Sequence, residues 1–487
     1  MEMRMNRNLR KTAFGLLMAV ALIAGTFTAE ARDEDPVKID DIWYVMDDSD
    51  MTAMVTSDFD EGPGGFQTSY LGDIVIPPYV EYNGNSYRVT SIGPLAFYWV
   101  HSNSLSIPET VVEIDTSAIF WMPELRVVEV DEANPIFISV DGVLYTHDMK
   151  VMLLFPMVWG YRPDHDERPS EFSIPEGVEE IDANLSNWSI QRYIFPDTLK
   201  KICSSAFWHG NITELELPES MEYLGNNCLS RLRNGFDLRI PDNVTYIGDY
   251  CFSESPFTSI TLPKGITCIG EGWFQDCTGM KKMKLHEGIT RICRMAFNRC
   301  TIDLELPESL VELDEYAFQG IETPELQLPD RLKELPDSLF LNSPIHKVSL
   351  GKGIERIGSI FMNCWNISDI YCPMESAPDI DSENPLGLDC QYEKLGKVNV
   401  HVRKGCAQAY LDSPWKLVGP IIEDLTDGVD EIGDDMAIND NELCDAYSLS
   451  GAPVASRLRF GEFSDTLPKG LYIIRTDSGK STKIAVK

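Results

Sequence analysis

The side chains that could carry acid–base, metal or nucleophilic chemistry are scattered along this chain of 487 residues. Its seven histidines form no H-E-x-x-H motif and no pair at metal-ligand spacing: they are His101, His147, His165, His209, His286, His346 and His401. Neither a G-x-S-x-G elbow nor a glycine-rich phosphate loop after a strand is present. A carboxylate pair could be hidden among the 77 acidic residues. We nevertheless predict a protein that is not an enzyme and that has no catalytic residues, no metal site and no cofactor.

Twelve cysteines raise the question of disulfide bonds. Cys228 and Cys251 occupy the same place in successive repeats of the sequence, and so do Cys277 and Cys300. Each pair is expected one strand spacing apart, at about 5 Å, which a disulfide accepts, although parallel side chains do not favour the bond. We favour buried thiols stacked from repeat to repeat over disulfides. Zinc ligation is less favoured still, because no C-x-x-C motif occurs.

The charge of the chain excludes one class of partner. The formal net charge is −36, whereas binding of nucleic acid needs clustered Lys and Arg, so we expect no nucleic acid partner. The segment from Glu423 to Asp440 contains eight carboxylates and no basic residue. We interpret it as a solvated linker, with cation binding as the alternative, because the alternating oxygen ligands of a calcium loop are missing.

The first 31 residues follow the plan of a secretory signal peptide. Basic residues up to Lys11 precede an apolar run from Ala13 to Thr28, and Ala29-Glu30-Ala31 forms a small-x-small cleavage site. No cysteine near that site could accept a lipid, and no later apolar stretch reaches the roughly 18 residues that cross a bilayer. We expect a monomer without a transmembrane segment that is exported, either secreted or attached to the cell surface.

A repeat of 21 to 23 residues organises most of the chain. Its most visible position, which we call the anchor, is occupied by Pro175, Pro196, Pro218, Pro241, Pro263, His286, Pro307, Pro329 and Gly351. Apolar residues stand one and three positions before each anchor and three and six after it, and phenylalanine often stands eleven after it. Because His286 holds an anchor place, we interpret it as a surface turn residue rather than a catalytic base.

The spacing within one repeat predicts its local structure. Residues one and three before the anchor point to the same side of a short strand, and proline ends the hydrogen bonding of that strand. A unit of about 22 residues cannot bury such an apolar side alone, whereas units stacked in parallel share one continuous interior. The repeat therefore predicts a solenoid of parallel strands.

The segments around the regular repeats are expected to extend and close the solenoid. Coils are predicted from residue 74 to residue 370, with hairpin insertions near 78–88 and 132–170 that turn at Asn83-Gly84 and Asp141-Gly142. Residues 32–73 are predicted to form an N-terminal β cap and residues 371–420 a C-terminal cap, because open ends would expose apolar surface. An acidic linker over 421–442 and a small β-domain over 443–487 complete the predicted order.

The repeat resembles that of a known family. The stretch from Phe257 to Cys277 is similar to the unit L-x-x-I-x-L-P-x-x-V-x-x-I-G-x-x-A-F-x-x-C of BspA-like leucine-rich repeat proteins, which are surface or secreted proteins of Gram-negative bacteria. The similarity runs from residue 74 to about residue 360. It implies a leucine-rich-repeat solenoid that is horseshoe-like and β-rich with short helical turns. It also implies adhesion to host matrix proteins or to other cells, and it implies no catalytic residue.

The last 45 residues resemble a second family. Tyr447-Ser448-Leu449-Ser450-Gly451 and the stretch from Leu467 to Ile474 are similar to the C-terminal sorting domain of type IX secretion substrates. The resemblance implies that this tail directs the protein to the cell surface.

The best candidate binding surface consists of the residues that alternate with the buried strand positions. These are Glu214, Glu216, Asp237, Arg239, Ser259, Thr261, Lys282, Lys284, Asp303, Glu305, Glu325, Gln327, Lys347 and Ser349. Their charges alternate from coil to coil, which suits a protein or glycan partner better than a polyanion, although such charge could serve solubility alone.

A second candidate is an aromatic group around the early coils, formed by Tyr98, Trp99, Trp121, Trp159 and Tyr161. Aromatic residues often anchor interfaces and stack on sugars, but packing against a cap explains these better. We therefore expect a binding scaffold of the adhesin type. A structural spacer that displays another region is the alternative, and a secreted enzyme is a remote third possibility.

Overall fold

The structure is a computed structural model. It describes residues 36–57, 71–98, 100–115, 117–119, 122–160, 168–187, 189–388, 395–425, 443–447, 453–459, 470–476 and 481–486. The predicted signal peptide and residues 426–442 of the predicted linker lie outside these ranges. The chain divides into a first unit, Met1–Thr323 with Pro336–Pro344, and a second unit, Pro324–Leu335 with Ile345–Lys487.

The residues before the anchors form short parallel strands, which we call the anchor strands. In the first unit they are Leu71–Val75, His101–Ile107, Val127–Val130, Glu171–Ser173, Arg192–Ile194, Asp237–Arg239, Ser259–Thr261, Lys282–Lys284 and Asp303–Glu305. In the second unit they are Glu325–Gln327, Lys347–Ser349 and Asp369–Cys372. Pairing keeps the repeat in register, so that Leu238 lies opposite Ile260 and Met283 opposite Leu304. These paired residues are buried, because alternate side chains of a strand point to opposite faces.

A second set of parallel strands, the return strands, follows each anchor. In the first unit they are Asn85–Ile92, Glu113–Ile114, Val151–Leu154, Glu180–Ile181, Lys201–Ile202, Tyr223–Leu224, Tyr246–Ile247, Cys268–Ile269, Arg291–Ile292 and Glu312–Leu313. In the second unit they are Glu334–Leu335, Arg356–Ile357 and Asp379–Ile380. A tight turn leads from each anchor toward its return strand, as where the N–H of Leu199 donates to the carbonyl of Pro196 at 3.1 Å. The predicted fold class, a solenoid of parallel strands, is confirmed.

The coils close through turns in which two residues adopt left-handed backbone conformations. The first stands nine after the anchor, with φ between 53° and 63°: Ser205, Asn227, Tyr250, Gly272, Met295, Tyr316 and Ser338. The second stands thirteen after it, with φ between 54° and 62°: His209, Arg231, Glu254, Asp276, Arg299, Gly320 and Asn342. A left-handed residue interrupts a right-handed helix. Where the family resemblance implies short helical turns, the described coils of the first unit therefore have hydrogen-bonded turns and no helix.

The closing turns carry a third set of hydrogen bonds between coils. Ser205 N–H donates to the carbonyl of Asn226 and Phe207 N–H to that of Cys228, each at 2.9 Å. These bonds to the neighbouring coil take the place of those that a helix would make within itself.

A column of phenylalanine rings fills the interior beside these turns. Phe252, Phe274, Phe297, Phe318 and Phe340 are all fully buried. Successive ring centroids are 5.7, 5.2, 6.0 and 5.7 Å apart, and the rings are nearly parallel. Such stacked pairs contribute about 0.5 to 1.5 kcal/mol each beyond the burial of their area. The column therefore favours exact register between coils as well as burial.

The early part of the first unit contains antiparallel additions. Strands Val37–Ile39, Ile42–Asp47 and Thr52–Thr56 pair in sequence, and the third pairs in parallel with Asn85–Ile92. One hairpin joins Tyr79–Tyr82 to Asn85–Ile92, and another joins Phe137–Val140 to Val143–Thr146. The turn residues Asn83-Gly84 and Asp141-Gly142 all have positive φ, as the two-residue turns of hairpins require.

The later part of the second unit corrects two predicted boundaries. The strands Asp369–Cys372, Asn399–Arg403 and Ile421–Leu425 are parallel neighbours, and the return strand Asp379–Ile380 pairs with Arg356–Ile357. Coils were predicted to end at residue 370, with a cap over 371–420 and a linker from 421. Parallel pairing continues through Asp379–Ile380 into the predicted cap and through Ile421–Leu425 into the predicted linker. Longer loops separate these strands and hide the 22-residue step, and Ile421 continues the apolar pairing of Ile370 with Val400.

The remaining elements of the second unit are short. Helix Ala407–Leu411 follows the strand Asn399–Arg403, and single 3-10 turns lie at Pro385–Gly387 and Pro414–Leu417. The tail is a four-stranded antiparallel sheet of Leu443–Tyr447, Pro453–Arg459, Gly470–Thr476 and Ser481–Val486, with the second strand at one edge and the fourth at the other. Among the residues described, no helix has the length and apolar character to cross a bilayer.

A charged cluster joins the last three parallel strands of the second unit. His401 Nδ1 lies 2.8 Å from Asp424 and Nε2 lies 3.0 Å from Asp369, while its ring stacks on Tyr371 at 4.4 Å. Burial alone would lower the pKa of His401, but the hydrogen bonds to both carboxylates outweigh it and raise the pKa above its ordinary value. Burial likewise opposes ionisation of Asp369, yet hydrogen bonds from His401, Asn399 and Ser368 lower its pKa to about 2.

We expect this cluster to make the stability of the second unit depend on pH. The His401 contribution is complete below about pH 6.5 and is lost as pH rises through its raised pKa. The Asp369 contribution is complete above about pH 4 and is lost as pH falls through about 2. Amide hydrogen exchange of Asn399–Arg403 should show that His401→Gln reduces protection more at pH 5.5 than at pH 9.

The exposed His346 supplies the control, since His346→Gln should leave that pattern unchanged at both pH values. An equal loss of protection in His401→Gln at both pH values would show that the cluster does not act through charge.

Candidate binding surface

The outward side chains of the anchor strands form the surface that we call the anchor face. Glu214 and Glu216 flank the buried Leu215, although no regular strand forms there. In the first unit the face continues over Asp237, Arg239, Ser259, Thr261, Lys282, Lys284, Asp303 and Glu305, and in the second unit Glu325, Gln327, Lys347 and Ser349 hold the same positions. Glu305, Lys347 and Ser349 are partly buried, and the other members are exposed. The structure thus brings the predicted residues of each unit into ordered rows.

Charged side chains of the anchor face form ion pairs with oppositely charged side chains of the next coil. Lys282 Nζ lies 2.5 Å from Glu305 and 3.6 Å from Asp303, and Lys284 Nζ lies 3.6 Å from Glu305. The hydrogen bond from Lys282 lowers the pKa of Glu305, and the same bond raises the pKa of Lys282. Exposed ion pairs of this kind contribute little to stability. Their main effect is to hold the side chains in a fixed arrangement.

The adjoining coils show the same pattern with different partners. Asp237 accepts hydrogen bonds from Thr258 at 2.6 Å and from Ser259 at 2.7 Å, and these bonds lower its pKa. Arg239 pairs with Glu219 at 2.5 Å. The anchor face of the first unit therefore presents both signs of charge at closely spaced positions, which is chemistry suited to a polar partner with charges of its own.

The aromatic candidates divide into two groups. Trp99, Trp121 and Tyr161 lie outside the described residues. Trp159 donates from Nε1 to the carbonyl of Asp141 at 2.8 Å, and its ring packs against Phe155 and Phe172. Tyr98 is half-buried, and burial raises its pKa. The contacts of Trp159 stabilise the second hairpin and the core beneath it, which fits the packing interpretation.

A groove on the return strands of the first unit was not anticipated from the sequence. It has a volume of about 540 Å³ and is lined by Tyr246, Trp273 and Arg291 among others. Cys268 and Cys293 lie in the same lining. Neither cysteine has a counterpart at the same position of an adjacent repeat, because Cys268 stands five and Cys293 seven residues after its anchor.

The histidines and cysteines form no metal centre in the part of the chain that the structure describes. No group of three or more His, Cys, Asp or Glu side chains there is placed to hold a metal ion. Both ring nitrogens of His401 are occupied by carboxylates, so neither is available to take a proton from a substrate. His286 lies in the turn of its coil with Nε2 3.1 Å from the carbonyl of Pro263, in agreement with its interpretation as a turn residue.

The repeats of this chain match a known protein family model. The model of the BspA type leucine rich repeat region matches residues 167–281 and 269–383, with six copies. None of the curated proteins compared with this chain is significantly similar to it.

Three solved structures illustrate the similarity. A leucine-rich repeat protein from Bacteroides ovatus is 17% identical, over 77% of this chain and 80% of that chain, with a TM-score of 0.38. A leucine rich cell surface protein from Faecalibacterium prausnitzii is 20% identical, over 69% and 94% of the two chains, with a TM-score of 0.31. The pneumococcal vaccine antigen PcpA is 13% identical, over 81% and 99%, with a TM-score of 0.37.

The stacked coils described above and the match to the family model together make residues 167–383 similar to a BspA type leucine rich repeat region.

Proposed function

We propose that this protein is an exported, non-enzymatic scaffold that binds a protein or glycan partner on a cell surface or in host matrix, in the manner of an adhesin. The observation that carries the proposal is the anchor face, where outward polar residues repeat in register from coil to coil. Leucine-rich repeats usually bind proteins, and BspA-like relatives are surface proteins, which supports this choice.

The anchor face offers the features of a specific polar interface. Ion pairs such as Lys282 with Glu305 hold long side chains in place before a partner arrives, so less conformational entropy is lost on binding. Alternating charge also disfavours partners of uniform charge, because like charges would then face each other. A partner with a mixed surface of its own satisfies both conditions.

A structural spacer is the second candidate. The same internal pairing of charges, as between Arg239 and Glu219, satisfies the face without any partner and favours a surface that serves solubility. A spacer would display another part of the chain and would show no saturable binding of its own.

Binding assays on the full chain separate these two candidates. We expect saturable binding to at least one member of a panel of immobilised matrix proteins and glycans. The double variant Lys282→Ala with Lys284→Ala should weaken that binding roughly tenfold, because two charges of the face are lost. Absence of saturable binding across the panel would favour the spacer.

Two control variants separate loss of contact from loss of fold. Lys200→Ala removes an exposed, ion-paired lysine beside the return strands and should leave binding unchanged. Met283→Ala removes the buried residue between the two lysines and should cost about 2 to 5 kcal/mol of stability. The lysine double variant should instead melt at the temperature of the parent chain. Equal weakening by Lys200→Ala would place binding elsewhere.

We also propose that the tail directs surface delivery. The segments that resemble a type IX sorting domain overlap its strands Leu443–Tyr447 and Gly470–Thr476, and residues 1–31 carry the features of a signal peptide. Deleting residues 443–487 should leave the protein periplasmic when cells of a bacterium that has this secretion system are fractionated. Unchanged surface delivery of the deleted chain would contradict the sorting role.

A further inference from the structure

Two cysteines meet on adjacent return strands of the first unit. Cys268 has Arg291 as its strand partner, and the N–H of Cys293 donates to the carbonyl of Ile269 at 2.9 Å. Ile269 and Ile292 point into the core, so the alternation of strand side chains places Cys268 and Cys293 on the same outward face. The two cysteines are therefore diagonal neighbours on adjacent coils.

The distance between the two thiols is unusually short. Their Sγ atoms are 3.0 Å apart, whereas non-bonded carbon atoms, which are smaller than sulfur, rest at about 3.5 to 4.0 Å. A disulfide has a sulfur–sulfur length of about 2.0 Å, so closure needs a movement of roughly 1 Å. Both residues are half-buried and line the groove, so a reagent can reach them from solvent.

Neighbouring cysteines differ from this pair in burial and in partners. Cys228 and Cys251 are fully buried, as are Cys277 and Cys300, whose thiols donate to the carbonyls of Phe252 and Phe274. Burial raises the pKa of Cys277 to about 12 and that of Cys300 well above its usual range. These thiols are therefore poor nucleophiles.

Cys268 has the opposite electrostatic setting. The hydrogen bond from the Cys293 thiol lowers the pKa of Cys268. Partial burial opposes this shift, and the positive charge of Arg291 lowers the pKa further. Arg291 is itself held in place by Asp314, at 2.9 and 3.0 Å. Cys268 is thus the more reactive thiol of the two.

We propose that Cys268 and Cys293 form a disulfide bond between two coils by thiol–disulfide exchange with a low-molecular-weight or protein disulfide. The Cys268 thiolate attacks one sulfur of that disulfide, forming a mixed disulfide and releasing one thiol. The Cys293 thiolate then attacks Cys268 Sγ and releases the second thiol. Overall the two cysteines lose two electrons and two protons, and the oxidant takes up both to become two thiols.

The bond would link positions 25 residues apart in sequence and so prevent separation of the coils that contain Pro263 and His286. An exported protein meets disulfides in an oxidising compartment, which supplies the co-reactant. Cys203 holds the same repeat position as Cys293, seven residues after its anchor. The residue that it contacts in the preceding coil is Glu180, at 3.2 Å, where Cys293 contacts Cys268. Cys203 therefore has no thiol at that place to close a bond.

Peptide mapping of the full chain tests the proposal. The purified protein is incubated with oxidised glutathione, free thiols are alkylated, and the chain is cleaved with trypsin and a glutamate-specific protease without reduction. Cleavage after Glu271 separates Cys268 from Cys277. We expect residues 265–271 linked to residues 292–294, at a mass two hydrogens below the sum of the two peptides.

Variants assign the two roles. In Cys293→Ser the link should disappear and glutathione should remain on Cys268, because no second thiol displaces it. Cys203→Ser, the matched control, should keep the link. Recovery of both peptides alkylated from the parent chain, or of a lasting glutathione adduct on its Cys268, would overturn the proposal.

Discussion

The hydrogen bonds between coils are the constraint on which the rest of this structure depends. In the first unit, anchor strands, return strands and closing turns all donate to or accept from the adjacent coil. A buried backbone group without a partner costs about as much as a lost hydrogen bond, so each coil must present its groups at the same heights as its neighbour. A repeat of 21 to 23 residues satisfies this condition. Longer coils in the early part of the first unit place extra residues in hairpins, as at Asn83-Gly84.

The same register decides what the surface can do. Once Leu238 is fixed opposite Ile260, the outward residues on either side are fixed as well, and Asp237 comes within reach of Ser259. Polar residues that would be mobile on a loop are thereby ordered into rows. Register also places Cys268 beside Cys293, although neither residue contributes to the repeat pattern. Binding and redox chemistry in this chain would both follow from positions set by the backbone.

The features that the sequence predicted are those marked by a characteristic residue type. Proline at the anchors, the phenylalanine column and the Asn-Gly and Asp-Gly turns all carry a direct signal, because their backbone or packing needs a particular side chain. The left-handed turn positions carry almost none. Tyr250 and Arg231 adopt positive φ there because inter-coil hydrogen bonds compensate the strain, and neither residue type indicates it. The strand Ile421–Leu425 was missed because its acidic residues resemble a linker, although its first residue, Ile421, pairs with the apolar Val400. The exposed residues of the anchor face carry no comparable signal, because packing does not determine which polar side chain stands at an exposed strand position.

A distance measurement within the first unit tests the in-register stack most directly. Ser173 and Lys284 both lie exposed on anchor strands, five coils apart. Spin labels introduced there as noncanonical amino acids leave the cysteines untouched, and pulsed electron paramagnetic resonance gives their separation. At about 4.8 Å per coil we predict a narrow distribution of backbone separations near 24 Å. A broad distribution, or one centred beyond about 35 Å, would contradict the parallel stacking of the coils.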